Sequence, residues 1–110
     1  MNQMVATVSN QSTTLCEGIS SRNLWGIFNT AGITMPVDTS SCNFNVTPLY
    51  FVSLGGTDRH WTLGGYTAIY APTNRSFQVY GRSLSGQNNT LLLADAYTYK
   101  WDINWFAILK

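Results

Sequence analysis

"TPLYFVSL", residues Thr47 to Leu54, opens with Pro48 near its start and then runs almost wholly apolar. Read with a period of two, Leu49, Phe51 and Ser53 share one face, and Tyr50, Val52 and Leu54 share the other. A strand apolar on both sides is central to a core or faces a partner subunit. The same period recurs on either side. "NLWGIF" alternates from Asn23 to Phe28, and "ITMPV" follows a glycine, with Pro36 marking an edge or a bulge. "GYTAIYA", from Gly65 to Ala71, reads as a strand that ends at the turn signal "APTN". "SFQVYGRS" sets Phe77 and Val79 against Gln78, Tyr80 and Arg82. "DINWFAIL" sets Ile103, Trp105 and Ala107 against Asn104, Phe106 and Ile108. "TLLLADAYTYKW", from Thr90 to Trp101, fits a strand, a short helix, or a strand and a turn. Residues 1–12 are polar and are expected either to be loose or to lead into a first strand at "TLC". The expectation is one all-β domain over residues 1–110, an antiparallel β-sandwich of six to seven strands.

Composition narrows the function. Only 10% of the 110 residues are charged, against an average near ~25%, while 45% are hydrophobic and 14% aromatic. The polar surface is therefore built from Ser, Thr, Asn, Gln and Gly, which hydrogen-bond without charge. The six Lys and Arg residues are scattered, so the basic stripe of a nucleic-acid binder is missing. No apolar run approaches the ~20 residues that cross a bilayer as a helix, so membrane insertion is not expected. The start, "MNQMVATVSNQS", lacks the charged end and apolar run of a signal peptide. Yet four Asn-x-Ser/Thr acceptors, at Asn10, Asn45, Asn74 and Asn88, lean toward a secreted protein. Cys16 and Cys42 have no metal or redox spacing. They are free thiols or a disulfide worth roughly 3–4 kcal/mol of loop closure.

"GGTDRHW", Gly55 to Trp61, holds the single histidine. Asp58, Arg59, His60 and Trp61 sit between glycine pairs that allow a tight hairpin loop. A second polar-aromatic cluster lies at Tyr99, Trp101 and Asp102. Trp105, on the alternating face of the last strand, belongs to the core, while Trp101, ahead of that strand, is placed at the rim. Sugars are held by flat aromatic faces against C–H patches and by polar groups on hydroxyls, whose burial is costly without a partner. These seven residues are therefore the candidate ligand contacts. Three fates remain open for the loop: ligand site, oligomer contact, or a turn in which Asp58 caps, Arg59 is solvated and Trp61 tucks onto the core. Catalysis has little to work with. Ser53, Asp58 and His60 lack a nucleophile elbow. Glu17, Asp38, Asp58, Asp95 and Asp102 show no paired spacing for glycoside cleavage, and Asp95 and Asp102 lack the dense acidic loop of a calcium motif. No catalytic residue, metal or other cofactor is expected.

Aromatic residues exceed what a small sandwich can bury. Tyr50, Trp61, Tyr66, Tyr97, Trp101 and Phe106 are expected to cover a subunit interface or a ligand platform. From Phe44 to Ile108, the pieces "FNVTPLYFVSL", "AIYAPTNRSFQVY" and "INWFAI" occur in an order that resembles the H-type lectin domain family. The resemblance implies a six-stranded sandwich, assembly as trimers or hexamers, and sugar binding at subunit junctions. The positions of the family's sugar-contact arginine and aromatic-His pair fall here near Gly64 or Gly65 and near Leu84 and Ser85. None matches, so no binding residue is carried over. The resulting expectation is a secreted, non-enzymatic carbohydrate-binding module, most simply a homotrimer, whose partner is a glycan or glycoprotein. The alternative is a structural or adhesive protein-protein module.

Overall fold

A computed structural model describes residues 15–109. The expected loose segment, residues 1–12, and the acceptor Asn10 lie outside the described residues. Seven strands and one helix follow in order: β1 (Leu15–Ser20), β2 (Gly26–Phe28), β3 (Gly32–Asp38), β4 (Leu49–Leu54), β5 (Leu63–Gly64), β6 (Ser76–Ser83), α1 (Asn89–Thr98) and β7 (Ile103–Ile108). They form two antiparallel sheets, β1-β7-β4 and β2-β3-β6-β5. The chain is predominantly β, and the ten-residue helix departs from a purely all-β architecture.

The alternation read in the sequence explains which sides meet. Ile103, Trp105 and Ala107 of β7 are buried, as are Ile33, Met35 and Val37 of β3 and Phe77 and Val79 of β6. Phe77 joins the sheets, with its ring centroid 4.5 Å from Tyr50 of β4 and 6.5 Å from Trp105 of β7. These residues belong to one continuous core. Large and small side chains complement one another there. The Trp105 indole crosses its β1 partner Gly18 so closely that a Cβ would stand 2.6 Å from the ring. The Tyr50 hydroxyl lies 2.7 Å from Thr39 Oγ1 and donates to the Thr73 carbonyl at 2.6 Å, which removes the cost of burying it.

Pro36 sits in the part of β3 that β2 no longer reaches, since β2 pairs only with Gly32 to Thr34. There β3 has one strand neighbour, and a residue without an N–H is tolerated. The cysteines form a disulfide, Cys16–Cys42, with Cα atoms 6.0 Å apart. It ties the outer strand β1 to the 3-10 turn Ser40–Cys42 that follows β3, so it links the two sheets.

Several expectations are corrected. "GYTAIYA" is not a strand; only Tyr70 bridges to Gln78. Positive φ at Gly65 and Ala71, with Pro72 next, breaks the extended run at both ends. "NLWGIF" is a strand only from Gly26, because Arg22–Leu24 forms a 3-10 turn capped by Ser21. Trp101 is not at the rim but wholly buried, and Tyr50 is core rather than surplus. The cause at Trp101 is the end of α1. Lys100 takes a left-handed conformation (φ 59°), the Trp101 N–H reaches the Ala96 carbonyl at 2.9 Å, and the Lys100 N–H reaches Tyr97 at 3.4 Å. That Schellman geometry reverses the chain and turns the indole inward. It is normally signalled by glycine, and here lysine hides it.

Candidate functional site

Folding brings the two candidate clusters together at one end of the molecule. The Gly55 N–H donates to the Asp102 carbonyl at 2.9 Å, and the Thr57 N–H donates to the Tyr99 carbonyl at 2.8 Å. The Trp101 indole N–H donates to the Asp58 carbonyl at 2.8 Å. Gly56 lies over this indole, where a Cβ would come within 2.8 Å of the ring and 3.0 Å of His60 Nδ1. The loop is thus seated on the turn after α1.

Its polar groups are mostly spent on one another. The Asp58 carboxylate accepts from the Arg59 N–H at 2.8 Å. Arg59 is left-handed (φ 66°), places Nε 3.1 Å from the Asp95 carboxylate, and stacks its guanidinium 5.9 Å from the Tyr99 ring centre. His60 Nδ1 is buried without a hydrogen-bond partner among the described residues. Asp102 turns away to Arg22, accepting from its N–H at 2.8 Å and from Nη1 at 3.4 Å. Trp61 projects outward, 83% exposed, the most open aromatic ring of the loop. Of the seven candidates, then, Trp101 is core, His60 has its Nδ1 buried, Asp58, Arg59 and Tyr99 hold the loop to α1, Asp102 holds the 3-10 turn before β2, and Trp61 remains available.

A second arrangement, absent from the sequence reading, lies on the outer face of the four-stranded sheet. Residues that alternate with the core set line up across the strands: Phe28, Gly32, Arg82 and Gly64 form one row. Tyr80 occupies the next outward position on β6. Its ring meets Phe28 at 4.8 Å and 62°, and Tyr70 at 4.9 Å and 86°, both edge-on. Gly32, Gly64, Gly65 and Gly81 keep the backbone low here, with the Asn29 side chain against Gly32, Leu84 against Gly64 and the core residue Leu63 against Gly81, and the groove of about 190 Å³ is also lined by Asn29 and Arg82. The walls are held in place. Tyr70 exchanges two backbone hydrogen bonds with Gln78, at 2.9 and 2.8 Å. The Asn29 side chain accepts from the Ala31 N–H at 3.0 Å, its carbonyl accepts from the Asn89 side-chain amide, and the Ser83 N–H donates to the Ala31 carbonyl at 3.1 Å. Among the described residues, the hydroxyls of Tyr70 and Tyr80 have no hydrogen-bond partner. The alternation in "SFQVYGRS" already set Tyr80 and Arg82 outward. What the sequence could not supply was Phe28 and Tyr70, 52 and 10 positions away, closing around them.

The outer face of the three-stranded sheet is different in kind. Leu15, Ile108 and Leu49 form one row, and Glu17, Phe106 and Phe51 the next. Phe51 and Phe106 stack at 4.9 Å, and the depression beside them measures about 700 Å³. Its few polar groups are Glu17, Ser53 and Asn104.

No helix among the described residues is long and apolar enough to cross a membrane. Comparison of the chain with family models, curated proteins and solved structures returns no match.

Proposed function

We propose that this chain is a carbohydrate-binding module that works without catalysis, and that the aromatic groove on the outer face of the four-stranded sheet is its site. The observation that carries this reading is the edge-on Phe28-Tyr80-Tyr70 cluster that lines this groove. Exposed aromatic rings offer apolar area for sugar C–H faces. The hydroxyls of Tyr70 and Tyr80, without partners among the described residues, and Asn29 offer neutral hydrogen bonds to sugar hydroxyls. Walls held by backbone bonds reduce the ordering cost on binding. The two antiparallel sheets agree with an H-type-lectin-like sandwich, the finer architecture we infer from the ordered resemblance between Phe44 and Ile108. A secreted location accords with the Cys16–Cys42 disulfide and with Asn45, an exposed glycan acceptor. The other described acceptors are engaged by the fold: the Asn74 amide donates to the Phe44 carbonyl at 2.9 Å, and Asn88 caps α1.

The experiment is a glycan-array screen of the folded protein with Tyr80→Ala and Trp61→Ala beside it. Tyr80→Ala is expected to lose roughly tenfold or more in affinity while retaining its unfolding transition, since burying one aromatic ring against a ligand contributes roughly 1.5–3 kcal/mol. Loss in Trp61→Ala alone would move the site to the loop. Silence of the folded protein on every glycan would remove the reading.

A second reading has its own observation. The apolar rows Leu15-Ile108-Leu49 and Phe106-Phe51 fit a protein partner, the simplest being another copy of the chain. The H-type lectin resemblance makes a trimer the natural assembly. This reading coexists with sugar binding, because the two faces belong to different sheets.

A further inference from the structure

We infer that the groove selects a saccharide bearing an anionic substituent, a carboxylate or a sulfate, and that Arg82 is the residue that selects it. The inference rests on the saccharide reading of the groove and goes further by assigning the charge of the ligand.

The argument is one of charge placement. The protein has five carboxylate side chains, and each is placed away from the groove lining. Asp102 pairs with Arg22, and Asp95 pairs with Arg59. Asp58 accepts from the Arg59 N–H in the loop, and Glu17 lies on the outer face of the other sheet. Asp38 ends β3, six residues from Gly32 and so about 20 Å away at the rise of a strand. Its carboxyl is held below the ordinary range by hydrogen bonds from the Ser40 side chain and N–H, with Arg75 adding to the effect.

Arg82 is exposed and has no ion pair among the described residues. Its cross-strand neighbours on both sides, Gly32 and Gly64, have no side chains. No acidic side chain lines the groove beside the guanidinium, and the aromatic rings of Phe28, Tyr70 and Tyr80 line it with Arg82. A guanidinium so placed is suited to a bidentate contact with a planar carboxylate or with two sulfate oxygens. A neutral sugar would use the tyrosines and leave that cation unanswered.

The test is calorimetric titration of the full chain with two matched pairs of probes: an oligogalacturonate with its carboxyl-reduced form, and a sulfated galactan oligosaccharide with its desulfated form. At least one anionic probe is expected to bind roughly tenfold or more tightly than its neutral partner, the scale of one charge-assisted contact, and to weaken as salt rises. Arg82→Gln should erase that difference between the anionic probe and its neutral partner, and Arg82→Lys should keep part of it. The active pair tells carboxylate from sulfate. Equal binding of anionic and neutral probes, lost in Tyr80→Ala, would overturn the charge assignment and leave the saccharide reading standing. Persistence of the anionic preference in folded Arg82→Gln would overturn the role of Arg82. No binding of any probe by folded protein would overturn this inference, while a neutral-glycan signal on the array would still preserve the broader reading.

Discussion

Gly18 and Trp105 show how little freedom single positions have in this core. Trp105 is only 7% exposed, so its ring has nowhere to withdraw when a methyl group appears 2.6 Å away. Gly18→Ala is therefore expected to destabilise the protein by about 1–3 kcal/mol, the usual cost of overpacking. Urea unfolding should show a lower midpoint with an unchanged slope, and an unshifted midpoint would mean that the indole moves freely. The same scale explains the fate of the loop residues. Asp58, Arg59 and His60 have the right chemistry for a ligand, yet Asp58 and Arg59 are engaged with neighbours and His60 has its Nδ1 buried. Sequence shows which side chains are capable of binding. It does not show which are already occupied, because occupancy depends on Tyr99 and Asp95, some forty positions away.

Among the elements, α1 was the least legible. "TLLLADAYT" has helix-forming Leu and Ala residues, but its apolar residues form no clean stripe, and only Leu92 and Ala96 are buried. What defines the element is at its ends. The Asn88 side chain accepts from the Leu91 N–H at 3.0 Å, and Lys100 makes the left-handed turn. A non-glycine residue there is strained by roughly 1–2 kcal/mol, partly offset by the greater unfolded freedom of glycine. Lys100→Gly is thus expected to stabilise the protein by about 0.5–1 kcal/mol, read as a higher unfolding midpoint. A decrease would show that the lysine side chain contributes more than its backbone costs. The strands, by contrast, were legible wherever alternation was paired along its length. "SFQVYGRS" and "DINWFAIL" match β6 and β7, while "GYTAIYA" alternates just as well and fails. A strand is completed by its partner's hydrogen bonds, and glycine and proline at the ends of that segment deny it a register.

For the whole molecule, the two outer faces differ in kind, one carrying an aromatic groove and the other rows of apolar side chains. The face of β1-β7-β4 offers three strands about 4.8 Å apart and six residues long, roughly 300 Å² in projection. A stable pair of proteins buries about 800 Å² on each side. On the reading that this face meets another copy, its size leads one to expect association that depends on concentration rather than a permanent oligomer. Light scattering is expected to show a mass that rises with concentration, and Phe106→Ser should return it to that of one chain. A single-chain mass at every concentration would leave the face without a second copy. The disulfide acts at this scale too, closing 26 residues between the sheets, a constraint worth roughly 3–4 kcal/mol in the unfolded chain.

Local pattern was enough to establish that the chain is mainly β, which residues of β6 and β7 alternate inward, and that its polar surface is largely uncharged. Those follow from local periodicity and composition, which need no partner to be read. Only the tertiary structure decided that Cys16 meets Cys42, that Trp101 is core, that the loop's charges are answered from α1, and that Phe28, Tyr70 and Tyr80 enclose a groove with Arg82 at its side. Each of these depends on contacts between residues far apart in the chain, and the energy that selects them appears only when the sheets close on one another.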